Sequence, residues 1–88
     1  MQAVPHPWTA DIQLFAAPRQ LLNRSTLRLE LDGSLTAGQL KAQLAERFPE
    51  LLPWLESGRL AVDRQLVGDQ HPVPIGAEVA LIPPVSGG

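Results

Sequence analysis

The sequence contains no cysteine, and its only aromatic residues are two tryptophans and two phenylalanines. Without cysteine the chain has no disulfide, no thiolate metal ligand, no cysteine nucleophile and no side chain that carries a persulfide. Any sulfur that this protein handles must therefore be attached somewhere other than a side-chain thiol.

Basic residues and long apolar runs are also scarce. Seven Lys and Arg stand against nine Asp and Glu, for a formal net charge of −2, so no basic stripe is available and we expect no nucleic-acid partner. No segment approaches the roughly 20 apolar residues that span a bilayer, and the N-terminal segment lacks the basic and apolar regions of a signal peptide. We therefore expect no membrane partner and a cytoplasmic location.

The sequence contains few side chains that could act in catalysis. Its two histidines, His6 and His71, are far apart in the sequence, and nothing has the spacing of a metal site, so we expect no bound metal or cofactor. Ser86 has neither a neighbouring base nor an orienting partner for a nucleophile's role. A chain of 88 residues holds one core and little room for a deep cavity, which favours a carrier or binding module over a self-contained enzyme.

Hydrophobic periodicity predicts two strands followed by one main helix. Apolar and polar residues alternate from Asp11 to Ala16, with Gln13 and Phe15 on the side opposite Ile12, Leu14 and Ala16, and again from Leu27 to Asp32. Pro18, Asn23 and Ser25 mark the connection between these strands. Thr36 and Gln39 have the spacing of a capping box, and the helix that they begin should end at Phe48, before Pro49.

The second half of the chain predicts short extended segments. Glu50 to Ser57 forms either an irregular turn or a short helix, closed by Gly58; strands follow at Leu60–Val62 and Leu66–Val67, and a last strand spans Glu78–Ile82. With a right-handed crossover, the first and last strands lie side by side and parallel.

This order predicts an α+β fold of the β-grasp, or ubiquitin-like, type. We expect a mixed sheet of four to five strands covered by one main helix. The domain spans residues 11–82, preceded by a loose N-terminal arm at 1–10 and followed by an extended tail at 83–88.

The tail is the most informative segment. It reads Pro83, Pro84, Val85, Ser86, Gly87, Gly88. The prolines keep it stiff and outside the sheet, and the glycines fit a channel too narrow for other residues. Six extended residues reach roughly 20 Å. A frayed end or an artificial extension is the alternative reading.

The group that remains for chemistry is the carboxylate of Gly88. A carboxylate resists nucleophiles until its oxygen is replaced by a better leaving group, such as AMP in a mixed anhydride. That activation must come from another protein, because the sequence contains no phosphate-binding glycine loop. The activated carbonyl then accepts either sulfur or an amine, and the residues alone leave both possibilities open.

The sequence resembles the family of molybdopterin synthase small subunits, which are ubiquitin-like sulfur carriers. The resemblance covers Ile12 to Gly88 and is strongest in the ending from Glu78 to Gly88, with its paired prolines and diglycine. Further similarities are Phe15, Ala16, Arg19 and Leu21 near the first strand, and Ala61, Val62, Gln65, Leu66 and Val67 in mid-chain.

The resemblance implies a function and partners. An E1-like enzyme that uses ATP would adenylate Gly88, and a sulfur donor would convert the adenylate to a thiocarboxylate. The tail, from Pro83 to Gly88, would then enter the large synthase subunit, which holds the catalytic groups and passes the sulfur to cyclic pyranopterin monophosphate. Alternatives are a sulfur carrier for thiamine, cysteine or tRNA thiolation, a ubiquitin-like tag joined to lysines, and a β-grasp interaction domain with an incidental tail.

The resemblance also implies a docking patch. Phe15, Leu66 and Ile82 match positions of an exposed apolar surface that contacts the partner, although all three are also ordinary core or scattered surface residues in many domains. Asp63 stands where this family usually has Asn, and Ile82 where it usually has an aromatic residue. These two departures bear on the identity of the partner more than on the carrier chemistry.

Overall fold

A computed structural model describes residues 5–84 of the chain. Its elements follow the predicted order, with additional short segments. They are β1 (Pro7–Leu14), α1 (Ala16–Leu22), β2 (Thr26–Asp32), β3 (Leu35–Thr36), α2 (Ala37–Arg47), a 3-10 turn (Pro49–Leu51), α3 (Leu52–Ser57), β4 (Arg59–Val62), β5 (Gln65–Val67), β6 (Pro72–Val73) and β7 (Val79–Ile82).

The main sheet has five strands in the order β2-β1-β7-β4-β5. Its first and last strands, β1 and β7, are parallel neighbours at the centre, and the other pairs are antiparallel. The β-grasp prediction is confirmed. Strands β3 and β6 form a separate two-stranded sheet, which the sequence analysis did not predict.

One face of the main sheet packs against α2, the 3-10 turn and α3. The fully buried side chains are aliphatic and come from alternate positions of the strands and from one side of the helices. The largest are Ile12, Leu14, Leu27, Leu29, Leu40, Leu44, Leu51, Leu60, Leu81, Val73, Val79 and Pro18. None of the helices in residues 5–84 is long and apolar enough to cross a membrane.

The N-terminal boundary differs from the prediction. We expected a loose arm up to residue 10, but β1 begins at Pro7 and pairs with β2 along its length, and Ala10 is buried. Pro7 is tolerated at the start of β1 because pairing with β7 begins only at Ile12, so the first half of β1 is an edge on that side. The Trp8 indole Nε1 donates a 2.9 Å hydrogen bond to the Gly33 carbonyl, and the ring packs against the core.

The connection after β1 also differs. Ala16–Leu22 form the short helix α1, where the proline had predicted an irregular connection, because Pro18 lies in the first turn, where a backbone N–H needs no helical partner. Ala16 belongs to this turn and is exposed, with a left-handed φ of 55°, rather than continuing the strand. Asn23 ends the helix in the left-handed conformation, as Asn commonly does.

The start of α2 is held by four hydrogen bonds. The predicted capping box is confirmed: the Gln39 N–H donates to Thr36 Oγ1 at 3.1 Å, and the Thr36 N–H donates to Gln39 Oε1 at 2.9 Å. The loop before β6 supplies the other two acceptors, since the N–H groups of Ala37 and Gly38 donate to the carbonyls of His71 and Asp69. This end of the helix is therefore satisfied within the domain.

Removal of the cap should destabilise the domain without changing its fold. Thr36→Ala deletes the acceptor for the Gln39 N–H, and such changes cost about 1 kcal/mol of unfolding free energy. Urea denaturation measures the loss, with Ser34→Ala, an exposed change two residues earlier, as the control. Equal stability of the two variants would contradict the expected contribution of the cap to the free energy of unfolding.

Trp8 should contribute to stability as part of the sheet. Trp8→Ala should lower the unfolding free energy by about 2 kcal/mol through lost apolar burial, and Trp8→Phe by about 1 kcal/mol through the lost indole hydrogen bond. Circular dichroism during denaturation follows both variants. A loose arm would instead leave both as stable as the parent protein.

Candidate functional site

The face of the main sheet that points away from the helices forms the candidate site. Strand alternation sends Ile12 and Leu14 into the core and Gln13 outward. The strand register then places Gln13 beside Ala80, Ala80 beside Ala61, and Ala61 beside Leu66. A single row of outward side chains therefore crosses four strands.

The two middle residues of this row are alanines, whose short side chains leave a depression in the surface of the sheet. Larger side chains stand around Ala61 and Ala80, and together they enclose a shallow, mostly apolar groove. Its lining consists of Gln13, Phe15, Ala61, Arg64, Leu66, Glu78, Val79, Ala80 and Ile82. Such a surface can accept an apolar side chain of a partner, because water in contact with it is released on binding.

The three residues of the suggested docking patch meet at this groove. Phe15 is 43% exposed and Leu66 is 58% exposed, and Ile82 is half-buried. Large exposed apolar side chains gathered in one place are uncommon on an isolated domain. The structure thus brings Phe15, Leu66 and Ile82 together, and their role in docking stays a prediction.

A charged hairpin turn forms one rim of the groove. Asp63 and Arg64 connect β4 to β5 with positive φ angles of 50° and 71°, as two-residue hairpin turns require. The Asp63 carboxylate accepts a 3.0 Å hydrogen bond from the Glu78 N–H, and the Asp63 N–H donates to the Glu78 carbonyl. Asp63 therefore ties this turn to the start of β7.

The same rim carries opposite charges. Arg64 Nε lies 3.8 Å from a carboxylate oxygen of Glu78, and both side chains are largely exposed, so the pair adds little stability. The pair matters more for recognition, because a partner that docks in the groove meets a cation and an anion at the edge of the groove.

The root of the tail lies at the end of the groove. Pro83 is half-buried and Pro84 is exposed, and a second shallow depression beside them is lined by Ser57, Gly58, Arg59, Leu66, Ile82, Pro83 and Pro84. The remaining predicted tail residues, Val85, Ser86, Gly87 and Gly88, lie outside the described residues. The docking patch and the start of the tail are therefore adjacent.

Arg64 and Glu78 are the titratable residues among those that line the groove. Within residues 5–84, no group of three or more His, Asp or Glu side chains is arranged to hold a metal ion. His6 and His71 do not line the groove.

Comparison with known proteins identifies the family to which the chain belongs. The model of the ThiS family matches residues 12–88, which is most of the chain. The chain belongs to the ThiS family. The match begins within β1 and includes the whole tail.

Individual relatives are similar to this chain in sequence over almost their full lengths. This ThiS family member is 34% identical to the molybdopterin synthase sulfur carrier subunit of Escherichia coli, over 88% of this chain and 96% of that protein. It is 32% identical to the protein of the same name from Haemophilus influenzae, over 89% of this chain and 98% of the relative. The resemblance identified in the sequence is confirmed.

Solved structures show the same fold. SAMP1 from Haloferax volcanii superposes with a TM-score of 0.77 at 25% identity, covering 92% of this chain and all of the other. The HVO 2177 protein from the same organism gives a TM-score of 0.75 at 17% identity, covering 93% of this chain and 88% of the other.

Proposed function

We propose that this protein is the sulfur carrier subunit of a molybdopterin synthase. The observation that carries the proposal is the match to relatives of that name, at 30–34% identity over nearly their whole lengths. The apolar groove beside the tail root supports it, because a carrier needs a docking surface next to the segment that it delivers.

The chemistry proposed for the tail takes place on the Gly88 carboxylate. An E1-like partner joins this carboxylate to AMP and releases pyrophosphate from ATP, so the nucleotide is bound by the partner. A donor that supplies sulfur at the oxidation level of sulfide then displaces AMP and leaves a thiocarboxylate. Transfer of that sulfur to cyclic pyranopterin monophosphate, with water supplying the oxygen, regenerates the carboxylate.

The large synthase subunit is the proposed partner at the groove. Phe15, Leu66 and Ile82 supply apolar contact area, and the tail beginning at Pro83 enters the partner's active site. Gly87 suits this entry because it has no Cβ, so a narrow channel admits its backbone. We propose a cytoplasmic location, where ATP is available for the activation step.

The thiocarboxylate should be visible in the intact mass. The chain co-expressed with its genomic neighbours should show, in part of the molecules, the mass increase of one oxygen replaced by one sulfur, located at Gly88 by fragmentation. Deletion of Gly87 and Gly88, or one additional alanine after Gly88, should abolish the increase and the synthesis of molybdopterin in cells lacking the sulfur carrier subunit.

The outcomes separate the alternatives. Molybdopterin synthesis by the alanine-extended chain, without trimming, would refute the carrier role. Sulfur at Gly88 without molybdopterin synthesis would point to thiamine, cysteine or tRNA thiolation. Higher-mass conjugates through lysine would indicate a protein tag.

The groove should determine affinity for the large subunit. Phe15→Asp places a charge at the groove wall and should raise the Kd at least tenfold, about 1.4 kcal/mol, while the domain stays folded because Phe15 points outward. Isothermal calorimetry measures binding and circular dichroism measures folding. Ile75→Asp is the matched control, because Ile75 is 51% exposed but does not line the groove, and its Kd should change less than about threefold. Equal effects of the two changes, or unfolding of Phe15→Asp, would contradict the docking role.

A further inference from the structure

Gly58 lies where the last turn of α3 meets the root of the tail. It is buried, and its N–H donates a 2.7 Å hydrogen bond to the Trp54 carbonyl at the end of that helix. A Cβ built on Gly58 would lie 2.6 Å from the Ile82 carbonyl oxygen, 2.6 Å from the Trp54 carbonyl oxygen and 3.3 Å from Pro83 Cα. The main chain of the tail root therefore rests directly on this glycine.

Space, rather than backbone conformation, requires glycine here. The φ of −93° and ψ of −170° at Gly58 are extended values that any residue adopts. All three neighbours of the missing Cβ are backbone atoms, which have no rotamer by which to move aside. A side chain at position 58 must therefore push two backbone segments apart.

Of the two backbone segments, the tail root has the weaker attachment to the domain. The α3 side is anchored by Leu55, which is buried in the core, and by the hydrogen bond from the Gly58 N–H to Trp54. On the other side, Ile82 is the last residue of β7 and pairs with Arg59, and Pro83 has no N–H with which to extend the ladder. Displacement by a Cβ is thus expected at the peptide that joins Ile82 to Pro83.

A displacement at this peptide is passed along the tail. Pro83 and Pro84 have fixed φ angles, and the residue before each proline is restricted to extended conformations. Four residues follow Pro84 in the sequence, and five extended residues measured from Pro83 span roughly 16 Å. A small change of direction at the root therefore becomes a displacement of several ångströms at Gly88 when the tail is extended in a partner.

We propose that Gly58 is a positioning residue for sulfur transfer, which sets the direction in which the tail leaves the domain toward the active site of the large subunit. The inference rests on the proposed function. It assigns to Gly58 an effect on delivery of the thiocarboxylate, distinct from the affinity provided by Phe15, Leu66 and Ile82. A Cβ at position 58 points inward between the two carbonyls, so it does not contact the partner directly.

The test compares two glycine substitutions in full-length protein. Gly58→Ala introduces the conflict, and Gly68→Ala is the matched control, because a Cβ at Gly68 meets nothing within 4 Å and its φ is not left-handed. Each chain is prepared as the Gly88 thiocarboxylate by cleaving an intein thioester with sulfide, which bypasses the activating enzyme. The Kd for the large subunit and the single-turnover rate of sulfur transfer at saturating large subunit are then measured.

Gly58→Ala should lower the transfer rate about 10- to 100-fold, as expected for a misplaced reacting group. Its Kd should change less than about threefold, because the displaced atoms are main-chain atoms at one end of the groove and Phe15 and Leu66 keep their positions. Gly68→Ala should match the parent protein in both measurements. A folded Gly58→Ala with the parent's transfer rate overturns the inference, and so does a rate loss that disappears at a higher concentration of large subunit. Absence of sulfur transfer from the parent protein would instead refute the proposed function.

A measurement on the parent protein decides the case in which Gly58→Ala does not fold. Nuclear magnetic resonance should show a nuclear Overhauser effect between an Hα of Gly58 and the Hα of Pro83. Its presence supports the contact that directs the tail, and its absence overturns the inference.

Discussion

The parallel pairing of β1 with β7 is the interaction on which the rest of the structure depends. Ile12 lies beside Val79 and Leu14 beside Leu81, and all four side chains are buried in the core. This pairing joins segments almost seventy residues apart in the sequence and places them at the centre of the sheet. Because the two strands run in the same direction, the C-terminal ends of β1 and β7 lie next to each other at one edge of the sheet.

That common edge explains how the candidate site forms. Phe15 follows β1 and Pro83 follows β7, so an exposed aromatic ring and the root of the tail become neighbours through topology alone. The antiparallel strands β4 and β5 add Ala61 and Leu66 to the outer face. Small residues in the two middle strands and large residues around them convert a flat sheet surface into a groove.

Periodicity predicted the elements whose residues alternate strongly or carry a cap. The alternation in Leu27–Asp32 was sufficient to predict β2, and the pair Thr36 and Gln39 was sufficient to predict the start of α2. Each of these patterns depends on residues that are close together in the sequence. The signals around Pro18 and Pro7 were misleading, since the fixed φ of proline fits both an extended strand and the first turn of a helix, and its missing N–H matters only where a hydrogen bond is needed. Whether that bond is needed depends on a neighbouring strand or helical turn that the sequence does not reveal.

The site was predictable to a similar degree. The outward phase of Phe15 followed from its position after Ile12 and Leu14, whereas its proximity to Leu66 and Ile82 came from the family resemblance and not from periodicity. The bonds from Asp63 to Glu78 link residues fifteen positions apart, and the contact of Gly58 with Ile82 links residues still further apart. A glycine that provides space looks the same in a sequence as one that provides a turn, so only the fold separates these roles.

The stability of the described domain follows from the same arrangement. The described domain saturates its own polar groups: the start of α2 is fully bonded, and no buried side-chain nitrogen or oxygen in residues 5–84 lacks a partner. The domain is therefore held together by paired backbone groups and an aliphatic core. It is well suited to hold an exposed groove and a tail root in a constant relation, because each rests on backbone that the core keeps in place. In the proposed function, reactivity depends on the tail and on the proteins that receive it, and the sheet determines where the tail begins.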